Sequence, residues 1–216
     1  QLDSVLMLGG GIVACEMAQF LQRTGTRTTL IQRNPRILKS WSPEVSEALE
    51  VAFTEEDIRV FTGTQNLSLA KKGDGYAASF EQDGQAITIE ADQLVNALGR
   101  DPTTDQLNLP AANINLRPSG HIAASAVQQT SNPDIYAAGD CTGPHEIVHV
   151  AILQGECAVQ HAFGEEPDPM NYDPLLLVIF TDPQAAVVGL KESQLQERGI
   201  PYLTESHPFN DHGKSI

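Results

Sequence analysis

The residues best suited to chemistry come early. Gly9, Gly10 and Gly11 precede Ile12, Val13 and Ala14 within "LMLGGGIVACEMAQFLQRTG". The spacing Gly9-x-Gly11-x-x-Ala14 suits a pyrophosphate. Gly9 permits a tight turn, Gly11 lets phosphate oxygens approach the backbone, and Ala14 keeps the next helix close to the preceding strand. Helix N–H groups and the positive dipole end then face the anion. A second group stands where one dinucleotide is told from another. An acid about 20 residues further on would bind the ribose 2′-hydroxyl of NAD. Gln32 stands there instead and cannot repel a 2′-phosphate. Arg33, Arg36 and Lys39 follow closely in a chain of net charge −15. A guanidinium grips a phosphate bidentately, and a lysine adds a point charge. The pattern favours NADP(H), with NAD(H) as the alternative; the reading without a ligand is a solvated basic loop.

These side chains need a strand, a turn and a helix to hold them. Ser4 to Leu8 is a short apolar run, predicted to be a buried parallel strand. Apolar residues recur at helical spacing from Ile12 to Gln22, and Gly25 stops the run. Thr28 to Ile31 supplies a second strand, completing a β-turn-α-β unit. Ser42 and Pro43 mark the N-cap and first turn of another helix, and Ile58 to Phe61 a third strand. Beyond Thr64 the texture changes. Short alternating runs are split by Gly-Asp-Gly and Asp-Gly, which predicts an antiparallel meander. "DQLVNALG" and "DIYAAGD" read as strands, the latter ending in a Gly-Asp corner. "EIVHVAILQGECAVQHAFG" reads as a helix stopped at Gly164, and "EEPDPMNYDP" as a linker. "LLLVIFTDPQAAVVGL" gives two strands about a Thr-Asp-Pro turn, and "KESQLQERG" a helix.

Three segments in order, "LVNALGRDPTTDQLNL", "GHIAASAVQQTSNPDIYAAGDCTG" and "EIVHVAILQGECA", resemble the flavoprotein pyridine nucleotide-disulfide oxidoreductases. That family includes glutathione reductase, dihydrolipoamide dehydrogenase and mercuric reductase. "ALGR-x-P", "IYAAGD" and "FTDPQAAVVGL" are its most specific elements here. The resemblance implies an α/β chain in three parts. Residues 1–97 match a Rossmann-like NAD(P)-binding domain with its β-meander, 98–168 the returning part of a FAD-binding domain, and 169–216 the start of an α+β interface domain. It also implies site residues. Asp140, with Gly139, looks like the acid that contacts the flavin ribityl chain, and Val148 falls where backbone approaches the flavin. The helix beginning near Glu146 would point its N-terminus at the flavin, where its dipole favours negative charge. Glu16, Glu146 and Val178 fall where the nicotinamide end is lined, and Gly99 at a close approach to NAD(P). Arg100 is either structural or in contact with the cofactor. Arg33 and Lys39 fall on the two basic positions of the NADP-using members. Ile12 replaces an aromatic residue that often gates the nicotinamide pocket, and Gln32 replaces the acid of the NAD-using members.

In that family electrons pass from nicotinamide to flavin to a closely spaced cysteine pair. No such pair occurs among Cys15, Cys141 and Cys157, and a C-terminal His-Glu pair is also out of range. No catalytic residue and no metal site is therefore assigned to this chain. It is expected to be an inactive part of a FAD-dependent NAD(P)H oxidoreductase, homodimeric at full length, acting on a disulfide or metal ion. The Gln at position 1, with a core strand just after it, suggests a piece of a longer chain. A non-catalytic NAD(P) sensor is the alternative, but residues 136–163 would serve it no purpose. His207 and His212 are read as surface residues, and His149 is placed near the flavin edge or on the surface. The acidic net charge argues against nucleic acid and anionic membranes as partners. No leader or membrane-length apolar run is evident, and the cysteine usage fits a cytoplasmic protein.

Overall fold

A run of apolar residues with no polar alternation suits a strand buried on both faces. β1 (Ser4–Leu8) has Val5, Leu6, Met7 and Leu8 buried. It lies inside a parallel sheet ordered β3-β2-β1-β7, where β2 is Arg27–Ile31, β3 Arg59–Phe61 and β7 Gln93–Asn96. Leu6 is paired with Thr29 on one side and Leu94 on the other. The computed structural model describes residues 2–143 and 145–208. Helix α1 (Ile12–Arg23) and helix α2 (Pro43–Glu55) connect the strands. Ser42 holds the N-cap position of α2, but its side chain makes no capping bond.

The meander is present as β4 (Gln65–Lys72), β5 (Gly75–Gln82) and β6 (Gln85–Ala91), all antiparallel. Asp83 and Gly84 both have positive φ, as the Asp-Gly hairpin signal requires. The meander supplies Ala78, Phe80, Ile89 and Ala91 to a core shared with Leu6, Leu8 and Ile31. Strand alternation therefore turns Val5 and Met7 toward the opposite face.

The segment after β7 differs from expectation. "DIYAAGD" forms no strand ladder; its pairing is the isolated bridge of Tyr136 to Gln129. One bridge partner is too few to propagate a ladder, and Gly139, at φ +82, turns the chain away. The next helix, α3 (Val148–Ala162), begins two residues later than Glu146. Leu109, Ile114, Ile122 and Ala137 form a separate small core here. β8 (Leu176–Ile179), β9 (Ala185–Val188) and α4 (Glu192–Glu197) complete the described elements.

The chain divides into two compact units. One comprises Gln1–Met170 with Val178–Ala186, the other Asn171–Leu177 with Val187–Ile216. The second carries α4 and an exposed Arg198–Asp173 ion pair at 2.7 Å. That pair raises the guanidinium pKa and lowers the carboxylate pKa, chiefly through their hydrogen bonds. Among the described residues no helix is long and apolar enough to cross a membrane.

Candidate functional site

The glycine turn is pinned between two strands. Gly9 donates its N–H to Ile31 O at 2.9 Å, and Ala97 donates to Leu8 O at 2.9 Å. Gly9 has φ +113, and a Cβ there would lie 2.5 Å from Ala97 O, so only glycine fits. A Cβ on Gly10 would strike the Gln32 side chain at 2.8 Å. Gly11 is different. Its backbone is ordinary and extended at φ −82, and a Cβ would meet nothing within 4 Å. The space above it is open to a ligand. Gly11 is the N-cap of α1, and no side chain caps the first-turn N–H groups beyond it. Ala14 is fully buried against the sheet, while Val13 is exposed. Uncapped donors over an open glycine fit a pyrophosphate.

Beside the turn, the three basic residues are separated by the structure. Arg33 and Lys39 are exposed, and their side chains make no hydrogen bond or ion pair among the described residues. Arg36 turns inward and donates to backbone carbonyls of its own loop. Two free cations beside the turn fit an additional phosphate.

Further along α1, polar residues at positions 16, 19 and 23 share one face. The Glu16 carboxylate accepts the Phe180 N–H at 2.9 Å. Gln19, buried, accepts the Asp182 N–H at 2.7 Å and donates to both Asp182 O and Glu56 at 2.8 Å. Arg23 bonds Glu56 at 2.6 Å and Asp182 at 2.7 Å. Glu56 is thereby held below the usual carboxylate pKa. This row grips the turn after β8, the strand that carries Val178. Gln19 and Arg23 are missed by motif reasoning; the signal available was their polar spacing along one face of the helix.

The second corner is built on Gly139 and Asp140. Gly139 donates its N–H at 2.6 Å to Oε1 of Gln154, a fully buried side chain of α3. Asp140 is half exposed and faces Arg100 Nη1 at 3.4 Å. Arg100 also pairs with Glu146 at 2.7 Å, and Glu146 lies 3.7 Å from His121 Nε2. Arg100 is thus a bridge between two carboxylates. The uncapped start of α3 leaves Val148 78% exposed. An outward carboxylate beside free helix donors fits a polyhydroxyl chain and an electron-rich ring edge. Gln154 and His121 are not marked by the motifs, and no local spacing points to them; Arg100, read from sequence as either structural or in contact with the cofactor, pairs with both carboxylates.

Both corners share one segment. Ala97 O lies against Gly9, and three residues later Arg100 meets Asp140, with Gly99 between them. Glu146 joins this group through Arg100, whereas Glu16, on α1, bonds the Phe180 N–H instead.

The remaining titratable residues are peripheral. All three cysteines are free thiols. Burial pushes the Cys15 thiol up to about 12, and raises those of Cys141 and Cys157 as well. Tyr136 and His161 share a 2.7 Å hydrogen bond, and His149 and His207 are exposed. His212 lies outside the described residues. Among the described residues no group of His, Cys, Asp or Glu could hold a metal ion.

Comparison with known proteins gives a consistent result. A family model described as "Pyridine nucleotide-disulphide oxidoreductase" matches residues 1–155. The chain is 35% identical over 204 residues to a mercuric reductase of Staphylococcus aureus, covering 94% of this chain and 37% of that protein. It is 32% identical over 214 residues to a dihydrolipoyl dehydrogenase of Thermus scotoductus, covering 98% of this chain and 46% of that protein. Its structure is similar to that of LpdA (Rv3303c) from Mycobacterium tuberculosis, with TM-score 0.82 and 28% identity, over 92% of this chain and 42% of that one. The chain spans less than half the length of each of these proteins.

Proposed function

The chain belongs to the pyridine nucleotide-disulphide oxidoreductase family, and from that premise we propose that it is the nucleotide-binding part of an NADPH- and FAD-dependent oxidoreductase. When bound, the two cofactors supply the redox chemistry, the nicotinamide giving hydride to the flavin. In this reading Gly9, Gly10, Gly11, Ile12, Val13 and Ala14 hold the pyrophosphate, and Arg33 and Lys39 the ribose 2′-phosphate. Glu16, Gly99, Glu146 and Val178 line the nicotinamide end. Gly139, Asp140 and Val148 form one wall of the flavin site. Asp140 accepts hydrogen bonds from hydroxyls, and the start of α3 favours negative charge at the ring edge.

The observation that carries the proposal is the Ala97–Arg100 segment, which touches the glycine turn at one end and Asp140 at the other. A nucleotide on α1 and a flavin against Asp140 would meet across it. The proposed domains are 1–97 for NAD(P), 98–168 for part of the FAD fold, and 169–216 for part of a dimer-forming domain. The onward acceptor is proposed to be a disulfide or a metal ion, as the names of the relatives suggest. Polypeptide corresponding to the unmatched length of those relatives would supply the other flavin wall, so the 216 residues alone are proposed to be inactive.

The test uses the full-length protein that contains this chain. Purified without added cofactor, it is expected to be yellow and to bleach on anaerobic addition of NADPH. A colourless protein that binds NADPH tightly would overturn the enzyme reading in favour of a sensor. Arg33→Ala is expected to lower affinity for NADPH about tenfold more than for NADH. An unchanged ratio would overturn the NADPH assignment.

A further inference from the structure

The loop between β2 and α2 is bonded from three directions around a strained residue. Leu38 sits at φ +48, in the left-handed region that residues with a branched or bulky side chain rarely enter. Holding leucine there is strained, because its Cβ crowds the backbone carbonyl. Leu38 donates its N–H to Gly10 O at 2.6 Å, which ties the loop to the glycine turn. Ile37 donates to the Glu50 carboxylate at 3.1 Å and accepts the Ser46 hydroxyl at 2.8 Å, both from α2. Arg36 donates through Nη2 to Lys39 O at 3.1 Å and Trp41 O at 3.3 Å. Ile37, Leu38 and Trp41 are buried.

Arg36 is the unusual member. Its Nε is buried and has no hydrogen-bond partner among the described residues. A buried donor without a partner loses its hydration and gains nothing in return. The chain keeps this guanidinium on its own loop nonetheless, while the Arg33 and Lys39 side chains stay exposed without partners among the described residues. Its bonds tie the Lys39 and Trp41 carbonyls to one side chain and so fix the Lys39 backbone relative to the rest of the loop.

We propose that Arg36 is a positioning residue that sets the spacing of Arg33 and Lys39, so that the two form a preformed clamp for one phosphomonoester, the ribose 2′-phosphate. The proposal rests on the NADPH reading above. Arg36 does not touch the phosphate. It lowers the ordering cost that two long flexible side chains on a loose loop would otherwise carry into binding.

The test is calorimetric titration of the full-length protein with 2′,5′-ADP, 5′-AMP, NADPH and NADH. Arg36→Gln is expected to weaken 2′,5′-ADP and NADPH about tenfold while leaving 5′-AMP and NADH within about twofold. Arg36→Lys is expected to fall between, since an ammonium lacks the planar fork. If Arg33→Ala is selective and Arg36→Gln is not, this inference fails and the NADPH reading stands. If Arg36→Gln weakens all four ligands alike, Arg36 merely supports the fold and the inference fails. If Arg33→Ala itself is not selective, the NADPH reading fails and takes the inference with it. Thermal unfolding is followed in parallel. Should Arg36→Gln not fold, the ratio of 2′,5′-ADP to 5′-AMP affinity in Arg36→Lys decides, a wild-type ratio being the overturning result.

Discussion

The Gly9–Gly11 turn and the Gly139–Asp140 corner hang on the same Ala97–Arg100 segment, yet they are enclosed differently. The first is walled by β1, β2, β7 and the 33–41 loop, all from within a hundred residues, and its core positions are fully buried. The second rests on a single bridge at Tyr136, a buried glutamine and an exposed arginine bridge. Asp140 and Val148 face outward. A parallel βαβ unit closes its own site because consecutive strands become neighbours. A corner with one wall leaves its polar groups waiting for whatever covers it.

Substitutions can break that contrast, and the largest effect is expected at Gly9. Gly9→Ala combines a positive φ with a 2.5 Å approach to Ala97 O, so it should destabilise the protein by about 3 kcal/mol or more and abolish nucleotide binding. Denaturant titration with an NADPH binding curve checks both; a near-wild-type midpoint would show that the turn is not rigid. Gln154→Leu probes the other corner. It leaves the buried Gly139 N–H without its acceptor and should cost about 2 kcal/mol, while sparing NADPH affinity. Loss of NADPH binding in a folded variant would mean that the two corners act as one.

Gly11→Ala separates function from stability. The new methyl meets nothing in the protein, so stability should hold within about 0.5 kcal/mol, yet NADPH should bind at least about tenfold more weakly. Unchanged affinity would place the pyrophosphate elsewhere. The thiols offer the mildest comparison. Cys15, beneath the first turn, has a pKa pushed up to about 12 against 9.0 for an ordinary thiol. The folded state therefore holds this proton more tightly than the unfolded state. Its contribution is complete below pH 9 and is lost as pH rises toward 12. At pH 8.5 an alkylating reagent should label part-exposed Cys141 before Cys15. Equal rates would show that the turn opens as readily as the corner.

The first corner was legible in the residues because its chemistry is local. Gly9, Gly11 and Ala14 are read from spacing, and the Asp83-Gly84 hairpin from its own turn chemistry. Even there the sequence does not separate Arg36 from Arg33 and Lys39, because nothing in its neighbours tells which way a guanidinium turns. "IYAAGD" has the composition of a strand, but a strand is completed by its partners, and one bridge is all it finds.

Sequence alone therefore determined the glycine turn and the β-turn-α-β unit and meander around it, since short-range sterics and hydrophobic period carry that information, and its motifs carried the resemblance to the family. Tertiary structure alone decided that Arg100 joins Asp140 to Glu146, that Gln154 holds Gly139, and that Glu16 and Gln19 grip the turn at Phe180 and Asp182. Hydrogen bonds act over about 3 Å in space, whatever the separation along the chain. Only folding brings those partners within reach.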